Sequence, residues 1–205
     1  MGWSLIQRQS LAARLARKGI LGIDWILRRY YRVAPFTQDP GCILRLSVGN
    51  SNRSLQLSDG TEVREGDPIL HIHLWSERLK DLESVRNTLG WGQAILSHMR
   101  SSLGKLVAFL DRHPQPEGWV AVRGEYGFVT EVRPAEAILK RLGFDLAYHD
   151  FPGMRIWRRA FWDNLYSYFL MWTFNPDNVK GKRLADMARI DFWISRAKLE
   201  QRYRG

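Results

Sequence analysis

Residues 57–77 read LSDGTEVREGDPILHIHLWSE, and the fold class is decided here. Asp59-Gly60 and Gly66-Asp67 are turn dipeptides, because glycine accepts positive φ and aspartate bonds nearby backbone amides. Between and after them, Glu62-Val63 and Ile69 to Trp75 are rich in β-branched and aromatic residues, so they read as strands. Upstream, residues 42–48 (CILRLSV) alternate, Gly49-Asn50-Ser51-Asn52 turns, and 54–57 reads as another strand. The spacing predicts that 42–48, 54–57 and 69–75 form an antiparallel meander in one sheet.

Helical periodicity flanks this block. Residues 4–32 place Leu11, Leu15, Ile23 and Leu27 at helical spacing, with Gly19 and Gly22 as breaks. Residues 76–87 and 91–112 read as helices, the second with a stripe of Ile95, Met99, Leu103, Leu106, Val107 and Leu110. Short strands are expected at 119–123 and 126–129, on either side of Gly124. A helix beginning at Arg133-Pro134 ends at Gly143, and a strand follows at 144–148. Residues 155–174 form an aromatic helix stopped by Asn175-Pro176. Residues 183–203 read as a last amphipathic helix with Leu184, Met187, Ile190, Ile194 and Ala197 inward. The class is α+β: a small antiparallel sheet covered by helices, with long amphipathic helices at both ends. The expected organisation is a basic helical extension over 1–40 and an α+β domain over 41–205.

The 205 residues are 45% hydrophobic and 12% aromatic, enough for a packed core. A lone Cys42 excludes an internal disulfide and a multi-cysteine zinc site, and its apolar neighbours make it a packing residue. The net charge of +10 sits at the ends. Residues 1–40 carry seven basic against two acidic side chains, 155–205 eleven against five, and the middle thirteen against fourteen. Both ends are rich in aromatic residues. Such segments fit an anionic surface, lipid headgroups before nucleic acid, and they equally fit helices with solvated arginine faces. Arg155, Arg158 and Arg159 beside Trp157 are the candidate anion-binding cluster. No run reaches the roughly 18 apolar residues of a spanning helix, and Arg8, Arg14, Arg17 and Lys18 interrupt any signal-peptide core. The expected location is cytoplasmic and peripheral at the inner face of a membrane.

Alternate residues of a strand share a face, so Ile69, His71, His73 and Trp75 point one way. Two imidazoles on one face can divide acid and base roles or share a metal ion. His73 with Glu77 or Asp67 is the candidate acid–base pair, His71 its neighbour, and His98, His149 or Glu125 are the residues that would complete a metal site. The plain alternative is histidines that hydrogen-bond at a sheet surface. His-x-His followed by glutamate echoes a cupin metal motif, but the residues after Glu77 are helical and no second motif follows. No Walker loop, dinucleotide fingerprint, nucleophile elbow or kinase signature is present, and the sequence assigns no cofactor.

Gly60, Gly66-Asp67, His73, Leu142-Gly143-Phe144 and the segment from Tyr168 to Pro176 occur in the order found in the YkoP-like domain family, which this chain resembles over about residues 42–204. That family includes stand-alone bacterial proteins and C-terminal domains of polysaccharide deacetylases. The resemblance implies a setting in envelope glycan or glycolipid metabolism and carries over no catalytic residue. Three functions follow as expectations: a ligand-binding or accessory role in that setting, an enzyme using His73 and Glu77 on a sugar or lipid-linked substrate, and a basic nucleic-acid-binding protein.

Overall fold

The computed structural model describes residues 11–79, 88–113, 118–129, 132–148, 159–174, 179 and 188–204. The elements in chain order are α1 (Leu11–Tyr30), β1 (Leu44–Asn50), β2 (Leu55–Gln56), β3 (Glu62–Val63), β4 (Pro68–Leu74), α2 (Ser76–Leu79), α3 (Thr88–Arg112), β5 (Ala121–Val129), α4 (Val132–Arg141), β6 (Asp145–Tyr148), α5 (Arg159–Phe174), β7 (Ala188–Ser195) and α6 (Arg196–Tyr203). Five strands form one mixed sheet in the order β1-β4-β5-β7-β6. The β1–β4, β5–β7 and β6–β7 pairs are antiparallel, and β4–β5 is parallel. A parallel neighbour needs a crossover, which the segment containing α2 and α3 supplies.

The α+β class is therefore the one the sequence predicts, with four corrections inside it. First, 54–57 does not join the main sheet. Among the described residues Leu55-Gln56 pairs only with Glu62-Val63, as a separate two-stranded ribbon. Leu57 and Val63 at its end are buried against Ile69, Ala121 and Trp193, so the ribbon folds over the sheet instead of widening it. Its turns are built as expected: Gly60 and Gly66 have φ of 85° and 93°, while Asp59 and Asp67 accept hydrogen bonds from the Thr61 and Arg64 amides.

Second, Gly124 does not divide two strands. It lies inside the continuous β5, opposite Phe192 of β7. A Cβ placed there would meet the Phe192 ring at 2.1 Å, so the position needs glycine for close approach. Gly124→Ala is expected to lower stability by about 1–3 kcal/mol through overpacking, read as a lower urea midpoint with unchanged m. An unaltered midpoint would show that the ring moves aside freely.

Third, 183–203 is not one helix. Residues 188–195 form β7, which lies between β5 and β6, and the helix begins only at Arg196. Ser195 makes the switch: its hydroxyl accepts the Lys198 amide at 3.0 Å as an N-cap and donates to Asp59. Likewise α1 runs unbroken through Gly19 and Gly22.

One face of the sheet is apolar. Leu44, Leu46, Leu70, Ile72, Val122, Phe192 and Ile194 pack against Met99, Leu103, Leu106 and Val107 of α3, Leu139 of α4 and Leu199 of α6. The stripe read from the sequence of α3 is the stripe that enters this core. The other face is mostly polar. There α5 reaches the sheet, with Asn164 and Ser167 on Arg189, and α1 packs beside α5 through Tyr166 and Asp24.

A polar sheet face as candidate functional site

Strand parity and register build the site. Arg45 and Ser47 of β1 lie opposite His73 and His71 of β4, and His71 lies opposite Arg123 of β5. Arg123 faces Trp193 and Glu125 faces Asp191 of β7. Four adjacent strands thus direct arginines, carboxylates and both histidines to one side, where an ordinary sheet would carry apolar residues or solvated ones.

Two ion-pair systems frame the histidines. Asp191 is fully buried. It receives Arg123 Nη2 on both carboxylate oxygens at 2.9 and 3.0 Å, and Arg53 lies 3.5 Å away. Beyond it Arg189 is bonded to Asn164 at 2.6 Å, to Ser167 at 3.0 Å and to Glu125. On the opposite side Glu77 accepts from Arg45 and Arg28, both at 2.9 Å, and Arg28 also pairs with Asp24 at 2.8 Å. Tyr166 donates to Asp24 at 2.5 Å. Arg45 and Arg78 lie over the Trp75 ring, at 4.2 and 3.6 Å from its centroid.

The sequence correctly places His71 and His73 on one face; their ring centroids are 6.5 Å apart. His73 Nε2 shares a 2.8 Å hydrogen bond with Ser47 Oγ. Among the described residues the His71 imidazole has no hydrogen-bond partner; its Nε2 lies over Gly49. Burial lowers the pKa of both to about 4. Arg123 pushes His71 the same way, His71, Arg45 and Arg123 push His73, and Glu125 opposes in both cases. Both imidazoles are therefore neutral at pH 7, each able to donate and to accept.

The other sequence-nominated residues are elsewhere. Glu77 bonds the two arginines and not His73. Burial acts to raise its pKa, but the Arg45 hydrogen bond and the charges of Arg45 and Arg28 outweigh that and hold it below its usual value. Asp67 sits in the β3–β4 turn with its carboxylate on the Arg64 amide. His98 donates Nδ1–H to the Gly41 carbonyl at 3.0 Å, and Glu125 is held by Arg189. Among the described residues no three His, Cys, Asp or Glu side chains gather as a metal site. His149, Arg155, Trp157 and Arg158 lie outside the described residues, and Arg159 is placed only as the first position of α5.

Arg45, Ser47, Arg123, Arg189 and Asp191 were not nominated by the sequence. The signal existed in the alternation of LRLSV, AVRGEY and RIDFW, where polar residues recur at every second position of buried strands.

This geometry defines an α+β domain with a helix-packed apolar face and a half-covered polar one that carries two neutral histidines. The chain belongs to the YkoP domain family, whose family model matches residues 14–203. It is similar to the uncharacterised protein YkoP of Bacillus subtilis (strain 168), with 24% identity over 140 residues that cover 67% of this chain and 73% of that protein. No solved structure matches it.

Proposed function

We propose that this protein is a ligand-binding, accessory domain in bacterial cell-envelope glycan or glycolipid metabolism, and that its ligand lies on the polar sheet face at His71. It acts at the cytoplasmic side of the membrane. One observation carries the binding reading: a half-buried neutral imidazole without a hydrogen-bond partner among the described residues, set beside Arg123 and the Ser47–His73 pair. Half-buried imidazoles that donate and accept match sugar hydroxyls, and adjacent guanidiniums match a carboxylate or phosphate on the same ligand. The envelope setting comes from the deacetylase-linked proteins of the family this sequence resembles. Binding is preferred to acid–base catalysis by His73 and Glu77 because Glu77 is committed to Arg28 and Arg45, which leaves His73 without the carboxylate that would orient it.

The test is calorimetric titration with N-acetylglucosamine 1-phosphate, glucuronate and neutral N-acetylglucosamine. An anionic sugar should bind more tightly than the neutral one. His71→Ala should weaken it roughly tenfold, the effect of one lost hydrogen bond with its desolvated partner, with the melting curve little changed. Absence of heat with all three sugars, or an unchanged affinity in His71→Ala, would remove the reading.

A further inference from the structure

Helix α1 turns Asp24, Arg17 and Arg28 inward and a row of apolar residues outward. Asp24 is buried under Tyr166 of α5 and paired with Arg28, and Arg17 lies 5.1 Å over the Trp172 ring of α5. On the opposite side Leu15, Ile23, Ile26 and Tyr30 are each more than half exposed, as is Trp25 beside them. Their spacing puts them on one continuous strip. Gly19 and Gly22 lie along the strip, and side chains there would meet nothing within 4 Å. Arg14, Lys18 and Arg29 flank it, all exposed. Asp24 is the sole acid of α1, so the outer side of the helix carries no carboxylate.

We propose that this outer strip of α1 is a docking surface for the headgroup region of an anionic bilayer. The inference goes beyond the ligand site and stands without it. The strip pairs apolar side chains with a margin of cations. A bilayer interface accepts both at once: apolar groups sink about 5–10 Å while the basic margin meets lipid phosphates. Trp25 and Tyr30 are the residue types that settle at that depth. A second copy packed antiparallel on the strip would bring the two basic edges together, which repels. Among the described residues no helix is long and apolar enough to cross a membrane, so this contact lies along the surface.

The experiment is co-sedimentation of the full chain with vesicles of phosphatidylcholine alone and of phosphatidylcholine mixed with phosphatidylglycerol. Partition is expected only into the anionic vesicles, weakening as salt rises, with a blue shift of tryptophan emission. Ile23→Ser with Ile26→Ser, and separately Arg14→Glu with Lys18→Glu and Arg29→Glu, should each reduce partition roughly tenfold or more. All five positions are exposed, so both variants should melt like the parent. Equal partition into neutral vesicles, or variants that bind like the parent, would overturn the proposal. So would tighter binding to duplex DNA than to vesicles at the same salt, which marks the strip as a nucleic-acid surface. A lipid-free dimer that the isoleucine variant dissociates would overturn it in favour of self-association.

Discussion

Asp191→Ala is expected to destabilise the protein by roughly 3–5 kcal/mol, because it leaves a buried guanidinium without its counter-charge. Arg123 holds both oxygens of Asp191, and the carboxylate has no exposed surface. With the acid gone, Arg123 must remain charged in a place that solvent barely reaches. Arg53, 3.5 Å from the same carboxylate, also loses a partner. For a chain of this size the loss should lower the melting temperature by on the order of 10 °C. Asp191→Asn separates shape from charge: it keeps one acceptor oxygen and most of the volume, so a smaller loss is expected. If Asp191→Ala melted within a degree or two of the parent, the ion pair would be replaceable by water, and the polar face would be wetter than its burial implies.

The second large effect is a loss of stability in mild acid. His71 and His73 have folded pKa values of about 4 against an ordinary 6.5. For a base with a depressed folded pKa, the unfolded chain takes up the proton first. Above about pH 6.5 both states are neutral and the histidines leave stability unchanged. Between about 6.5 and 4 the unfolded state is protonated and the folded state is not, so stability falls; below about 4 the difference stops growing. Each histidine alone would contribute up to about 3 kcal/mol of this loss. The pair contributes less than twice that, because protonating one disfavours the other and solvent partly reaches both. The groups facing them are Arg45, Arg123, Glu125 and Asp191. Glu77, whose pKa lies below 4.5, adds its own loss only at the acid end. Urea midpoints should therefore fall steadily from about pH 7 to about pH 5. The His71→Gln, His73→Gln double variant should be nearly flat over that range. A parent protein whose midpoint is flat there would mean that the histidines are solvated.

How much of this was legible in the sequence depended on how local the cause was. Turn residues act within four positions, so Asp59-Gly60, Gly66-Asp67 and the strand carrying His71 and His73 could be read directly. The β7 segment could not. Leu184, Met187, Ile190, Ile194 and Ala197 fit a helix, while Ile190, Phe192 and Ile194 fit a strand equally well. Trp193 interrupts the expected polar side, and Arg189 and Asp191 look solvated although both are buried. Only pairing with β5 on one side and β6 on the other decides it. Gly124 misled for a related reason: a glycine that admits a neighbouring ring looks, in one dimension, like one that ends a strand. The site divided the same way. The two histidines share a strand and were found together, whereas Arg45, Arg123 and Asp191 come from three other strands. No spacing joins them until the strand order is known.

The position of β7 also fixes when the sheet can exist. Among the described residues β6 pairs with β7 alone, and β5 has β7 on one side, yet β7 begins at Ala188, after both. On the ribosome, β5 and β6 emerge with those edges open. From the end of β6 at Tyr148 to the start of β7, synthesis at 5–20 residues per second takes roughly 2–8 s. Through that interval the nascent chain displays unpaired, partly apolar backbone of the kind that recruits neighbouring chains. The keystone is translated late, so the edges of β5 and β6 that β7 covers stay without it until near the end of the described sheet.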